Sequence, residues 1–189
     1  MNRYLFFVLL YIPVVGLCQD TVGMHLPFKD GKLTYEGIVN VAGKNKMDLY
    51  ADAKKWFTDY FIDSRDVIQM QDKDQGRIIG KGILVFSYKV LLSSVKFYDL
   101  ITVEIDVKDG RYRYRVYDMV LANLKGELFS DYGSRTKVTP EQLISTLTGT
   151  GKSGYTKTEC QKLLRLIDGE AKSTIHSLTT TVSDNSNTF

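Results

Sequence analysis

An alternation of apolar and polar residues around one Asp-Gly pair constrains the fold of this chain more than any other feature. From Val95 to Met119, apolar side chains recur at alternate positions over most of the stretch, and Asp109-Gly110 lies near its middle. Alternation is typical of a half-buried β-strand, and Asp-Gly between two such segments is a strong signal for a two-residue hairpin turn. The pattern therefore predicts a long antiparallel hairpin over residues 95–119.

The register of this hairpin follows from its turn. With Asp109 and Gly110 as the loop, residues at equal distances from the turn face each other across the strands. The predicted pairs are Lys108 with Arg111, Val107 with Tyr112, Asp106 with Arg113, Ile105 with Tyr114, Glu104 with Arg115 and Val103 with Val116. One face is then apolar and aromatic, and the other carries two cross-strand pairs of opposite charge. A slip by one residue would bury charge in the core.

Residues 45–61 predict an amphipathic helix. Asn45 is a suitable N-cap, and Asp48 stands in the first turn. The apolar residues recur at helical spacing, as Leu49, Tyr50, Ala53, Trp56, Phe57, Tyr60 and Phe61. The opposite face is charged, so the aromatic stripe needs a partner surface, and we expect that surface to be a sheet.

Two further segments predict the remaining strands of that sheet. Residues 33–41 are rich in Tyr, Ile and Val and form the first strand. Residues 66–71 and 77–89 form a second hairpin, whose turn ends in glycine, the residue that most readily takes positive φ. Gly80 and Gly82 lie on one face of its second arm. We interpret them as points where a bulky helix residue such as Trp56 approaches the backbone, in preference to ligand contacts.

The last part of the chain predicts two helices and a tail. Thr139-Pro140-Glu141 is a helix start, and Thr156 with Glu159 forms a capping box ahead of a second helix. The short first helix has Leu143, Ile144 and Leu147 on its apolar side. The longer second helix has a stripe made of Cys160, Leu163, Leu164, Ile167, Ala171, Ile175 and Leu178. From Thr179 onward the residues are too polar to bury, so we predict a disordered tail.

The N-terminus predicts export. Met1-Asn2-Arg3 is a short basic start, the apolar run from Tyr4 to Val15 follows, and small residues precede a cleavage site after Cys18. The run is too short to span a bilayer, and no second such run predicts a membrane anchor. Simple cleavage is favoured over lipidation of Cys18, because a lipobox needs a small residue where Leu17 stands. We therefore expect a periplasmic or secreted protein, with a lipoprotein as the disfavoured alternative.

Composition and motifs argue against nucleic-acid binding and against the common catalytic and metal sites. The 25 Lys and Arg residues nearly balance the 22 Asp and Glu residues, so the charge does not call for a nucleic-acid partner. His25 and His176 are the only histidines, and neither stands in a context typical of a triad or a zinc site. The run from Thr148 to Ser153 mimics the end of a phosphate-binding loop, but it follows a helix and lacks the first glycine. We predict no catalytic set, no metal site and no cofactor.

One row of residues in the central hairpin is a candidate contact surface. Arginines alternate with tyrosines there, which at first suggests a surface for nucleic acid. Alternation directs Tyr112 and Tyr114 to the core, however, while two of the arginines meet carboxylates across the strands. A solvated, salt-bridged sheet face is thus favoured over a polyanion surface. The candidate contact residues are Glu104, Asp106, Arg111, Arg113, Arg115 and Tyr117.

Together these motifs resemble a known family. The resemblance is carried by Glu36-Gly37-Ile38-Val39, Leu49-Tyr50, Lys55-Trp56-Phe57, Val67-Ile68-Gln69, the run from Asp74 to Gly82 and the run from Val107 to Tyr114. Over residues 33–124 the chain resembles an uncharacterised family of exported Bacteroidetes proteins, the domain of unknown function 4468, described as having a TATA-binding-protein-like (TBP-like) fold. The resemblance implies a curved antiparallel sheet with a helix on one face. It implies no activity, and the name of the fold does not license DNA binding.

The sequence thus predicts an α+β protein in which a strand, a helix and four more strands are followed by C-terminal helices. Its predicted parts are a signal peptide (1–18), an N-terminal leader (19–32), a TBP-like domain (33–124), a helical extension (125–178) and a disordered tail (179–189). We favour a non-catalytic, exported or envelope-associated binding module whose partner is an envelope protein or a glycan. The alternatives are a hydrolase acting on an envelope polymer and an assembly factor that docks through its last helix.

Overall fold

A computed structural model describes residues 23–61, 67–90, 93–123 and 136–183 of the chain. The predicted signal peptide lies outside the described residues. The elements in chain order are β1 Phe28–Lys29, β2 Lys32–Leu33, β3 Tyr35–Asn40, α1 Lys46–Tyr60, β4 Ile68–Asp72, β5 Arg77–Val90, β6 Ser93–Lys108, β7 Arg111–Asn123, β8 Thr136–Val138, α2 Pro140–Thr148 and α3 Lys157–Ser183. The predicted α+β class, with an antiparallel sheet and C-terminal helices, is confirmed.

The main sheet has the strand order β3-β7-β6-β5-β4, and β8 pairs with the end of β7. All of its pairings are antiparallel. The first strand joins the hairpin β6–β7 at one edge, and the hairpin β4–β5 joins it on the other side. Ahead of the sheet, β1 and β2 form a small hairpin where the predicted leader meets the predicted domain, and Leu26 and Leu33 are buried there.

The register of the β6–β7 hairpin is the predicted one from Lys108–Arg111 out to Val103–Val116. Beyond that point β7 holds one extra residue, because Thr102 faces Tyr117 whereas Leu100 faces Val120. Asp118 takes a positive φ of 51° within this bulge. Alternation alone does not reveal the bulge, since it changes which residues face inward without breaking the strand.

Helix α1 begins as predicted, with the Asn45 side chain accepting hydrogen bonds from the backbone N–H groups of Met47 and Asp48. Its aromatic stripe packs on the sheet, and the two strand glycines leave room for it. The residues over them are Phe57 at Gly80 and Phe61 at Gly82, instead of Trp56. The Trp56 ring stacks on Tyr60 and donates a hydrogen bond to α3, so it fills the space between the two helices.

The C-terminal helices belong to the same hydrophobic core as the sheet and α1. Both start at the predicted caps, with reciprocal bonds between Thr139 and Gln142 and between Thr156 and Glu159. The predicted end of α3 is wrong, because the helix continues to Ser183. Val182 follows Leu178 by one helical turn, and both side chains are fully buried. The polar residues between them occupy the outer side, so the prediction of disorder is wrong for residues 179–183. The rest of the predicted tail, residues 184–189, lies outside the described residues.

Among the helices that the structure describes, none has both the length and the apolar character needed to cross a membrane.

Candidate functional site

The sheet has two different faces. Val103, Ile105 and Tyr112 point to the side on which the helices pack, and they are buried. The alternate positions of β5, β6 and β7 point to the other side, which no described helix covers. We call this second side the helix-free face. It holds all of the charged residues that the sequence marked as candidate contacts on β6 and β7.

Asp106 lies at the centre of an ion-pair network on the helix-free face. Its Oδ2 atom accepts hydrogen bonds from Arg113 across the hairpin, with distances of 2.5 Å to Nη2 and 3.1 Å to Nε. Its Oδ1 atom accepts a hydrogen bond from Nε of Arg77 at 2.6 Å. The first pair is the predicted one. The second was missed because Arg77 belongs to another hairpin, and its position opposite Asp106 depends on the pairing of β5 with β6.

Glu104 extends the network toward the middle of the sheet. It pairs with Arg115 as predicted, and its Oε1 atom lies 3.5 Å from Nε of Arg77. The Tyr117 hydroxyl is 3.4 Å from its Oε2 atom. The sequence predicts a solvated face, but Glu104 is only 4% exposed. That expectation was wrong at this residue, because side chains from the two neighbouring strands, Arg77 of β5 and Arg115 and Tyr117 of β7, contact the carboxylate.

The arginines keep Asp106 ionised. Burial alone would raise its pKa, but the hydrogen bonds from Arg113 and Arg77 more than offset burial, so the pKa of Asp106 is lowered. The same hydrogen bonds raise the pKa of each arginine. An ionised carboxylate between two guanidinium groups has no proton to donate, so Asp106 is a poor general acid.

Next to the network, a shallow depression of about 370 Å³ lies at the turn end of the sheet. Four cationic side chains and one carboxylate line it, namely Arg77, Lys108, Arg111, Arg113 and Asp106, together with Gln75 and Ile38. Lys108 and Arg111 form no ion pair with any described residue. The depression is therefore electropositive, and Asp106 already has a guanidinium partner at each oxygen.

Backbone hydrogen bonds hold the rim of this depression in place. The Gly110 N–H donates to Lys44 O at 2.9 Å, and Gly110 O accepts from the Val41 N–H at 2.8 Å. The Asp109 side chain also accepts from the Lys46 N–H at 2.7 Å. Hydrogen bonds thus attach the turn between Lys108 and Arg111 to the loop between β3 and α1.

Of the predicted contact residues, Glu104, Asp106, Arg113, Arg115 and Tyr117 form one connected network. Arg111 stands outside the network, at the rim of the depression. Sequence reasoning missed Arg77, Lys108 and Gln75. Lys108 could have been found from the predicted register, since it shares a face with Asp106 and faces Arg111.

A second group of carboxyl residues lies on the other side of the sheet, under α3. Asp99 is 1% exposed, and neither of its carboxylate oxygens makes a hydrogen bond of normal geometry. Burial is the main cause that raises the pKa of Asp99 to about 7, and the negative charge of Glu170 adds to it, against a weak opposing contribution from the Val120 amide. Burial also raises the pKa of Glu170. The alternation along β6 predicts that Asp99 faces the helix side of the sheet. It does not predict that Glu170 of α3 lies nearby.

Tyr35 of β3 also contacts α3 on this side of the sheet. Its hydroxyl donates a hydrogen bond to Asp168 of α3 at 2.8 Å. Burial, followed by this hydrogen bond, raises the pKa of Tyr35. No cluster of three or more His, Cys, Asp or Glu residues suited to a metal ion occurs within the described ranges.

The chain has recognisable relatives. A family model described as "Domain of unknown function (DUF4468) with TBP-like fold" matches residues 35–121. The chain is similar in structure to a DUF4468 family protein from Bacteroides ovatus ATCC 8483, with a TM-score of 0.65 and 15% identity over 86% of this chain and 92% of that one. It is also similar to a TBP-like protein from Parabacteroides distasonis ATCC 8503, with a TM-score of 0.56 and 14% identity over 82% of this chain and 98% of that one. No curated protein matches the sequence.

These comparisons establish the fold. Sequence identities of 15% and 14% are too low to transfer a ligand or an activity. The structural likeness covers 86% of the chain, so it extends beyond the segment 35–121 that the family model matches.

Proposed function

We propose that this chain, whose residues 35–121 match the family model of the DUF4468 domains of unknown function with a TBP-like fold, is a non-catalytic binding module. Its binding surface is the helix-free face of the sheet, and its partner is an envelope protein or a glycan. The assignment to the envelope follows from the export that the N-terminal sequence predicts.

The ion-pair network on this face is the observation that carries the proposal. Burying the charged partners of an ion pair costs free energy that their mutual attraction only partly offsets, so such a network contributes little to stability. What it does provide is a fixed position for Arg77, Arg113 and Arg115. Fixed guanidinium groups lose little conformational entropy on binding, which favours recognition of a ligand.

Exposed apolar side chains on the same face support this reading. Ile38 is 66% exposed and lines the depression, and Val85 is exposed farther along β5. Apolar atoms beside oriented charged groups are a common composition for a recognition surface.

The hydrolase alternative has less support. In catalytic acids, a carboxyl group with a raised pKa often lies beside a second carboxyl group. Asp99 has a raised pKa and lies near Glu170, whose pKa is also raised. Asp99 lies under α3, however, and is almost completely buried. This burial among the described residues leads us to interpret the raised pKa of Asp99 as a consequence of packing.

The assembly-factor alternative depends on a free apolar stripe along α3. The protein's own core buries four residues of that stripe, Leu163, Leu164, Ile167 and Leu178, and also Val182 one turn beyond it. Docking another chain through this stripe would require α3 to leave the core. The helix-free face needs no such rearrangement.

The proposal is tested by site-specific photo-crosslinking in envelope extracts. A photoreactive side chain at Ile38 reports on the helix-free face, and one at Met47, which is 45% exposed on α1, is the matched control. We expect position 38 to capture a defined envelope component that excess unlabelled protein displaces, and position 47 to capture none. Equal capture at both positions, or capture at position 47 alone, would contradict the proposal.

A further inference from the structure

We propose that the depression beside the Asp109-Gly110 turn binds the carboxylate or phosphate group of an acidic sugar. This inference rests on the proposed function, since it names the ligand class for the helix-free face. Lys108 and Arg111 supply the principal contacts, and Arg77 and Arg113 supply further donors from inside the depression.

Unused hydrogen-bond donors are the first argument. The contacts of Arg77 with Asp106 and Glu104 run through its Nε atom, so its Nη atoms make no hydrogen bond to a described residue. Arg113 uses Nε and Nη2, which leaves Nη1. Lys108 and Arg111 use none of their charged donors for ion pairs in the described part of the chain. An oxyanion is the group that satisfies several such donors at once, with charge-assisted hydrogen bonds.

The charge around the depression is the second argument. Asp106 is the one carboxylate among its lining residues, and its two oxygens already accept hydrogen bonds from Arg77 and Arg113. It cannot neutralise Lys108 and Arg111 as well. An anionic ligand would supply the negative charge that the lining residues of the depression do not.

The size of the depression and the residues that line it indicate which kind of acidic ligand fits. A volume of about 370 Å³ accommodates one sugar ring and not an extended polymer. Gln75 offers an amide for hydroxyl groups, and the exposed side chain of Ile38 offers an apolar surface for ring C–H groups. Glu36 faces Arg115 and Asp72 faces Arg77 across neighbouring strands, and their negative charges disfavour a long polyanion such as nucleic acid.

The test is the dissociation constant of the full chain for defined probes, measured by isothermal titration calorimetry at fixed ionic strength. The probes are glucuronate, glucose 6-phosphate, inorganic phosphate and neutral glucose. We expect the two acidic sugars to bind with a stoichiometry of one, and glucose not to bind. Arg111→Gln should weaken acidic-sugar binding by roughly ten-fold, the loss expected for one charge-assisted contact.

Arg165→Gln is the matched control, because Arg165 is an exposed arginine on α3 and its loss changes the net charge equally. We expect this variant to bind within two-fold of the natural protein. Equal weakening in both variants, or no binding of either acidic sugar, would overturn the inference. If inorganic phosphate binds as tightly as glucose 6-phosphate, the sugar ring adds nothing to binding, and the claim that the ligand is a sugar is overturned.

These results separate the inference from the proposed function. If the acidic sugars fail to bind while position 38 still captures an envelope component, the helix-free face is a binding surface for a different ligand. If both experiments fail, the proposed function fails with the inference.

Discussion

The Nε atom of Arg77 lies 2.6 Å from Oδ1 of Asp106, and this ion pair joins β5 to β6 across the helix-free face. Together with the pair between Asp106 and Arg113, it fixes two guanidinium groups on either side of one carboxylate. The carboxylate orients the arginines without satisfying all of their donors. This relationship gives the depression beside it a preformed, electropositive wall.

Replacing Asp106 with asparagine removes the one carboxylate that lines the depression. We expect Asp106→Asn to bind glucuronate several-fold more tightly, because the loss of the negative charge that opposes the ligand outweighs the weaker hold on Arg77 and Arg113. The amide oxygen that remains still accepts a hydrogen bond from one of these arginines. The same change releases Arg77 and Arg113 from a partly exposed ion pair, so the free energy of unfolding should fall by about 1 kcal/mol. Calorimetric titration and urea unfolding measure the two effects. Asp59→Asn, in an exposed pair with Lys55, is the control, and weaker binding by Asp106→Asn alone would contradict the account.

Asp99 makes the stability of the protein depend on pH. In the folded state its pKa is raised to about 7, whereas the unfolded chain releases the proton near 3.8. The folded state therefore holds the proton more tightly, and the free energy of unfolding falls as the pH rises from about 4 to about 7. Glu170 changes stability in the same direction, since its pKa is also raised.

Asp99→Asn removes the larger part of this pH dependence. We expect the variant to be more stable than the natural protein at pH 8, by on the order of 2 kcal/mol, with a smaller difference at pH 5. Urea unfolding at pH 5, 6, 7 and 8 measures the effect. A variant that is less stable than the natural protein at pH 8 would show that the ionised Asp99 is stabilised by a partner.

Gly82 provides the space for Phe61. A Cβ atom at this position would overlap the Phe61 ring, which is itself buried. Gly82→Ala should therefore destabilise the protein by about 3 kcal/mol through overpacking. Gly169→Ala, in α3, meets no atom within 4 Å and should stabilise it by about 0.8 kcal/mol through helix propensity. Equal effects of the two substitutions on the midpoint of thermal unfolding would disprove this packing.

Val182 anchors the end of α3. Its side chain is fully buried, and its carbonyl oxygen accepts a hydrogen bond from Lys44 Nζ at 3.0 Å. We expect Val182→Ala to lower the free energy of unfolding by about 2 kcal/mol. Thr180→Ala, at an exposed position about half a turn away on the other side of α3, should not lower it. If Val182→Ala also leaves stability unchanged, the tail beyond Thr179 is disordered, as its polarity suggested.

The features predicted from sequence are those set by local rules. The Asp109-Gly110 turn fixed the register of β6 with β7, and the caps at Asn45, Thr139 and Thr156 fixed the starts of the helices. In each of these cases the deciding contacts lie within a few residues of each other, or follow from them by simple counting.

The features that escaped prediction depend on pairings between distant segments. Arg77 reaches Asp106 only because β5 pairs with β6, and Asp99 meets Glu170 only because α3 packs over the sheet. The aromatic residues over Gly80 and Gly82 depend on how far α1 advances along the sheet. Hydrophobic patterns indicate that such surfaces meet, but they do not fix the offset at which they meet.

The most direct test of the account is a map of where an acidic sugar binds. Glucuronate titrated into the full-length, 15N-labelled protein shifts the backbone amide resonances nearest to its site. The account predicts saturable shifts confined to Ile38 and to residues 75–77 and 106–113, around the depression on the helix-free face. Shifts centred on the helices, or on the hollow between Phe28 and Thr148 beside α2, would contradict it.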